Sequence, residues 1–134
     1  MVLDLFAGTG SISYEFASRG AAGVIAVEID YRNYSFIKKA SEGMNLNELK
    51  AIRGDAFKFI RLCKSTFDIV FADPPYKLKG ISSIPDLVFE HHLVNKDGWL
   101  IIEHSAGTDF TGHPNFFNKR NYGKVNFSFF ENKQ

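Results

Sequence analysis

A chain of 134 residues, 45% hydrophobic and 23% charged, suits one compact domain (residues 1–134) and excludes a wholly disordered polypeptide. A formal net charge of +1 argues against a strongly basic nucleic-acid-binding module, so a nucleic-acid partner has to be argued from local chemistry. Cys63 is the sole cysteine, which rules out an internal disulfide and a cysteine-based metal site; no run of apolar residues approaches a membrane span and no basic-then-apolar leader opens the chain, so the expected location is the cytoplasm.

Met1 to Leu5 reads as a buried strand, and Phe6 to Gly10 as a tight Gly-rich turn. Ser11 is expected to cap a helix running to about Arg19, with Ile12 and Phe16 on one face and Gly20 just past its end. Val24 to Glu28 is a second strand; Asp30 caps the next helix, which Gly43 ends. Leu49 to Arg53 is a weaker strand, followed by a short helix over Phe57 to Cys63. Phe67 to Ala72 is a strong buried strand stopped by Pro74 and Pro75. A helix over Ile81 to Leu93 follows, with Pro85 near its first turn, and then a strand over Gly98 to Glu103. Asp109 to Pro114 reads as loop, and Phe116 to Tyr122 and Lys124 to Phe130 as the last two strands, with the turn between them left open. Strands that are continuously apolar and alternate with helices predict a doubly wound α/β domain, its parallel sheet covered on both faces and joined by right-handed crossovers.

Asp4-Leu5-Phe6-Ala7-Gly8-Thr9-Gly10 follows a strand and opens a helix. Gly8 and Gly10 allow close backbone approach to a ligand, and the helix start offers unpaired N–H groups for a carboxylate such as the methionine end of S-adenosylmethionine. Asp4 can meet the ammonium of that end, directly or through water. A dinucleotide fingerprint needs a third glycine where this chain has Ser13, so a pyrophosphate site is disfavoured. Glu28, at the end of the second strand, can bind both hydroxyls of a ribose, with Asp30 the alternative if the strand ends later. Asp55 can accept from the adenine amino group, and Ile29 and Phe57 can flank the adenine ring, although packing alone also accounts for two apolar residues.

Asp73-Pro74-Pro75-Tyr76 directly follows the strongest strand. Ligands of open α/β sheets lie beyond the carboxyl ends of strands, which places Asp73 beside the expected cofactor. Prolines restrict the backbone and cannot donate, leaving carbonyls to accept from a substrate. Tyr76 offers a flat face for a base, and Pro75, Lys77 and Lys79 are candidate substrate contacts, the lysines toward phosphate. An exocyclic amino nitrogen delocalises its lone pair into the base. Asp73 and the Pro74 carbonyl can each accept one of its N–H groups, turning the lone pair toward a sulfonium methyl and stabilising the charge that develops. This chemistry calls for no covalent enzyme intermediate and no metal, and His91, His92, His104 and His113 lack metal-ligand spacing.

These segments resemble the RsmD family of small-subunit ribosomal RNA guanine-N2 methyltransferases. Val2 to Ser11 is similar to that family's cofactor loop, Glu28 and Asp55 to its acidic positions, and Phe67 to Tyr76 to its catalytic segment. Glu103 closing a strand and Tyr122-Gly123 before the last strand extend the resemblance to the tail. It implies a Rossmann-like class I methyltransferase sheet, mostly parallel, whose antiparallel C-terminal strand is inserted before the end of the order. It also implies S-adenosylmethionine as cofactor, a guanine of 16S ribosomal RNA as substrate and the small ribosomal subunit as partner. Family members usually carry a segment before the cofactor loop, so this chain is expected to be a core lacking it, with RNA activity reduced. The rival readings are adenine-N6 methylation of DNA or RNA, and an inactive RNA-binding or ribosome-assembly module. The oligomeric state is not legible in the sequence.

Overall fold

The computed structural model describes residues 1–134. Its strands are β1 (Val2–Leu5), β2 (Val24–Glu28), β3 (Leu49–Arg53), β4 (Phe67–Ala72), β5 (Val94–His104), β6 (Phe116–Tyr122) and β7 (Val125–Glu131). Its helices are α1 (Ser11–Ser18), α2 (Tyr31–Gly43), α3 (Ala56–Leu62) and α4 (Ile84–Glu90), with a 3₁₀ turn at Ile81–Ser83 leading into α4. The strands form one sheet in the order β3-β2-β1-β4-β5-β7-β6. β1 to β5 pair in parallel, and β7 runs antiparallel to both β5 and β6. This is the class I methyltransferase fold, with the last strand inserted before the sheet's end.

The central strands are mostly apolar because both faces are covered. All four residues of β1 are buried. Leu3, Leu5, Val27, Val70, Ala72, Leu100 and Ile102 join Ile60 of α3 and Val88 of α4 in the larger core on one face. Val2, Val24 and Ala26 face the other way, against Ala17 of α1 and Ile37 of α2. Burying each such aliphatic side chain stabilises the fold by about 1.5–3 kcal/mol before chain entropy is counted. No helix is long and apolar enough to cross a membrane.

The structure corrects several local expectations. Ser11 does not cap α1: Gly10 holds the N-cap position in the left-handed region, φ 89°, and no side-chain cap bond forms. Ser13 and Ala17 are the buried residues of α1, with Phe16 packed partly against the same core, and the Ser13 hydroxyl donates to buried Asp4. α2 ends as expected at Gly43, but the left-handed residue that turns the chain is Asn45, φ 55°, whose N–H donates to the Glu42 carbonyl. The helix expected over Ile81 to Leu93 is shorter, and β5 starts at Val94, not Gly98. Asn95-Lys96-Asp97-Gly98 has turn composition, yet it continues the strand through a register shift against β4, with Asp97 at φ 66°. A Cβ at Gly98 would lie 2.6 Å from the Asp68 carbonyl oxygen, so only glycine fits there.

Candidate active site

The carboxyl ends of β1 to β5 open onto one cavity of about 550 Å³. Among the residues that wall it are Gly8 after β1, Glu28 and Ile29 at the end of β2, Asp55 and Phe57 after β3, and Asp73 to Tyr76 after β4. Parallel strands place all their carboxyl ends on one edge, so residues distant in sequence converge without long loops.

The turn after β1 is strained before it reaches glycine. Phe6 has φ 59°, an unusual value for a bulky side chain, and packs edge-on against Phe57 with ring centroids 6.1 Å apart. Gly8 follows at φ 60°, and a Cβ built on it would meet nothing within 4 Å, so its backbone borders open space. Gly10 is enclosed instead: a Cβ there would sit 3.0 Å from Ile37 Cγ1 and from Tyr14 Cζ. It serves the packing of α1 and α2 and does not line the cavity. Asp4 also lies behind the turn. It is 2% exposed, accepts from Ser13 Oγ at 2.7 Å and has no surface on the cavity. Burial pushes its pKa up to about 7, the Ser13 hydrogen bond offsetting only part of that effect, with Asp73 and Glu28 adding repulsion.

Glu28 ties two loops together. One carboxylate oxygen accepts Gly8 N–H at 2.8 Å and the other accepts Asp30 N–H at 2.8 Å. Each oxygen keeps a further lone pair for a ligand hydroxyl. Asp30 does not take this position; its carboxylate caps α2 by accepting from Asn33 N–H at 3.1 Å. Asp55 caps α3 in the same manner, one oxygen accepting Phe57 and Lys58 N–H at 2.8 and 3.1 Å, which leaves the second oxygen for other partners. Ile29 is 62% exposed on the cavity wall, an open apolar surface.

After β4, Asp73 N–H reaches toward the Leu5 carbonyl at 3.5 Å, carrying the β4–β1 pairing one residue further. The Pro75 carbonyl accepts Leu78 N–H at 2.9 Å, while the Pro74 carbonyl accepts nothing from the backbone. Tyr76 stands 60% exposed at the rim. Lys77 and Lys79 are exposed on the same loop but outside the cavity wall. Shielding from water pushes the Asp73 carboxyl above its ordinary value, partly offset by a hydrogen bond with Glu103. Glu103 is pushed up by burial, by the Asp73 charge and by that same hydrogen bond.

The cavity thus brings together nine of the residues singled out in the sequence: Gly8, Glu28, Ile29, Asp55, Phe57, Asp73, Pro74, Pro75 and Tyr76. Asp4, Gly10, Lys77 and Lys79 stand outside its wall. Phe6, Asn33, Leu78 and Glu103 line it as well and had not been assigned to it. Only Glu103 carried a sequence signal, as the polar end of an apolar strand next to β4. No group of three or more His, Cys, Asp or Glu side chains is arranged to hold a metal ion.

The model of the family described as Conserved hypothetical protein 95 matches residues 1–131. The chain belongs to that family. It is 30% identical over 101 residues to the ribosomal RNA small subunit methyltransferase D of Escherichia coli (strain K12), covering 75% of this chain and 48% of that protein. Against the enzyme of the same name from Buchnera aphidicola subsp. Baizongia pistaciae (strain Bp) the identity is 26% over 101 residues, covering 75% of this chain and 52% of that one. The chain therefore spans about half the length of these curated relatives. A conserved hypothetical protein of Streptococcus pyogenes shares the fold at a TM-score of 0.86 and 24% identity, over 98% of this chain and 84% of that one. S-adenosylmethionine is the cofactor that matches this fold.

Proposed function

We propose that this family member is the core of a cytoplasmic enzyme that methylates the exocyclic N2 of a guanine in 16S ribosomal RNA, within the small ribosomal subunit. The observation that carries the reading is that Asp73, Pro74 and Tyr76 wall the same cavity as Gly8, Glu28 and Asp55. S-adenosylmethionine supplies a methyl group already activated on a sulfonium, so the protein's task is to hold and aim. The turn around Gly8 receives the methionine end of the cofactor, and buried Asp4, when ionised, lends negative charge toward its ammonium. Glu28 takes the ribose hydroxyls on its remaining lone pairs. Asp55 accepts from the adenine amino group, between Ile29 and Phe57. Asp73 and the unpartnered Pro74 carbonyl accept the two amino N–H groups of the base, Tyr76 stacks on its ring, and Pro75 shapes the loop. Lys77 and Lys79, exposed beside the cavity, meet phosphates. The names of the curated relatives support ribosomal RNA, and the small subunit rests on those named small subunit methyltransferase D, since others are named large subunit methyltransferase K/L.

Transfer of labelled methyl to unmethylated small ribosomal particles, followed by nucleoside analysis, is expected to give N2-methylguanine. Label found only in N6-methyladenine would overturn the base assignment, and particle binding without transfer would favour an assembly module.

Glu28→Ala is expected to weaken S-adenosylmethionine binding by about tenfold or more, the loss of charge-assisted hydrogen bonds to two hydroxyls. Calorimetry on protein shown to be folded measures it, since the same change unties Gly8 from Asp30. An affinity equal to that of the unaltered chain would reject the ribose assignment.

A further inference from the structure

Asp73 and Glu103 are neighbours by construction of the sheet. β4 and β5 are parallel, with Phe71 opposite Ile101 and Ala72 opposite Ile102. One further step sets Asp73 beside Glu103, both on the face that carries Phe71 and Ile101, and both line the cavity. Adjacent strands lie about 4.8 Å apart, a spacing at which two carboxyl groups facing the same way can share a hydrogen bond. Two ionised carboxylates at that spacing repel strongly, and one proton held between them removes the repulsion.

We propose that Glu103 is a positioning residue for Asp73: its protonated carboxyl donates to one Asp73 oxygen and so aims the other at the amino group of the substrate. The inference rests on the reading of Asp73 given above. Burial raises both carboxyls above their ordinary values, and the Asp73 charge and the hydrogen bond between the two groups raise Glu103 further. In the transfer step the amino nitrogen forms its bond to the methyl carbon while the carbon–sulfur electron pair leaves with sulfur. The nitrogen then gives a proton to the free Asp73 oxygen, and Asp73 passes it to solvent. Glu103 keeps its own proton throughout.

The other ionisable groups around the pair are few. Asp4 on β1 and Glu28 on β2 lie behind and beside it, Asp55 follows β3, and Tyr76 and Lys77 occupy the loop after β4. On β7 the residue opposite Glu103 is Phe127, which carries no charge; beyond it Arg120 of β6 is paired with Phe127. His104, next along β5, is buried, its Nε2 2.7 Å from Ser128 Oγ.

Single-turnover methyl transfer to small ribosomal particles across pH tests the assignment. With Glu103 protonated in the working form, the wild-type rate falls as pH rises through its folded value and sets two negative charges side by side. Glu103→Gln still donates to Asp73, so its rate stays within about threefold of wild type and the alkaline fall disappears. Glu103→Ala loses about tenfold or more at every pH, with cofactor affinity unchanged. Carbon-13 NMR of the side-chain carboxyls reads the pair without turnover: Asp73 is expected to titrate in two coupled steps in the wild type and in a single step at lower pH in Glu103→Gln. Identical Asp73 titrations in the two proteins, or wild-type transfer by Glu103→Ala, would overturn the proposal. Asp73→Asn run alongside separates the two levels. Full transfer by Asp73→Asn sinks the reading of Asp73 itself, whereas an inactive Asp73→Asn beside a fully active Glu103→Ala sinks the role of Glu103 alone.

Discussion

Asp73→Asn is expected to slow methyl transfer in a single turnover by roughly 10²-fold or more, about 2.7 kcal/mol of lost transition-state stabilisation. The substitution preserves size but replaces a charged acceptor by an amide. One end of the amide still accepts, yet it stabilises positive charge developing on the amino nitrogen less well. The other end donates, and turned toward the substrate it meets another donor. Under the pairing proposed above, Glu103 also donates to the one amide oxygen, which leaves that oxygen less able to accept from the substrate amino group. Cofactor affinity should change much less, since Glu28, Gly8 and Asp55 sit on other loops of the cavity. The check is a single-turnover measurement with labelled methyl, paired with calorimetry of cofactor binding. A near-normal rate in the variant would remove Asp73 from the chemistry.

Asp4 sets the second large effect, on stability. Its folded pKa of about 7 stands well above the ordinary carboxylate value of 3.8. Between those two values the folded protein binds a proton that the unfolded chain has released, so stability falls as pH rises from about 4 to about 7. This group accounts for a loss of about 4 kcal/mol across that window. Asp4→Asn keeps an acceptor for the Ser13 hydroxyl and cannot ionise, so its stability lacks that component of the pH dependence. The variant is therefore expected to gain on the wild type as pH rises, the gap widening by up to about 4 kcal/mol over the window and then levelling off. Denaturant unfolding of both proteins without cofactor, at several pH values, measures the gap directly. Parallel curves for the two proteins would show that Asp4 titrates in the fold as it does in the open chain.

Periodicity and turn chemistry made most of the architecture legible before any coordinates. Continuous apolar runs marked β1, β2 and β4 because both faces of those strands are covered, and Asp30 announced the start of α2 because its side chain has to satisfy an open N–H. The sequence was silent where tertiary contact overrides local preference. Residues 95–98 have turn composition, yet β4 and Asn132 on either side supply the hydrogen bonds that keep them in β5: Asp97 N–H donates to the Asn132 carbonyl, and Asn132 N–H to the Gly98 carbonyl. α1 misled for a different reason. Its inner face is chosen by the need of Asp4 for a hydroxyl partner, so a serine sits where an apolar residue would be expected. In the site, single-loop motifs were readable because their chemistry is local. The pairing of Glu103 with Asp73 was not, because the two lie thirty positions apart in the chain and only strand register brings them together.

The strand order also governs how the domain can be completed as it is synthesised. β5 is covered on its outer edge by β7, which is made after β1 to β6, and β6 pairs with β7 alone. Until residues 125–131 leave the ribosome, the eleven-residue β5 presents a row of unsatisfied backbone groups, and Phe130 is missing from the main core. The nascent chain therefore passes through a stage in which most of the cavity wall has been made but its sheet has an open, sticky border. Closure depends on the β6–β7 hairpin inserting as a unit, which makes residues 125–131 the ones that guard the domain's solubility during birth.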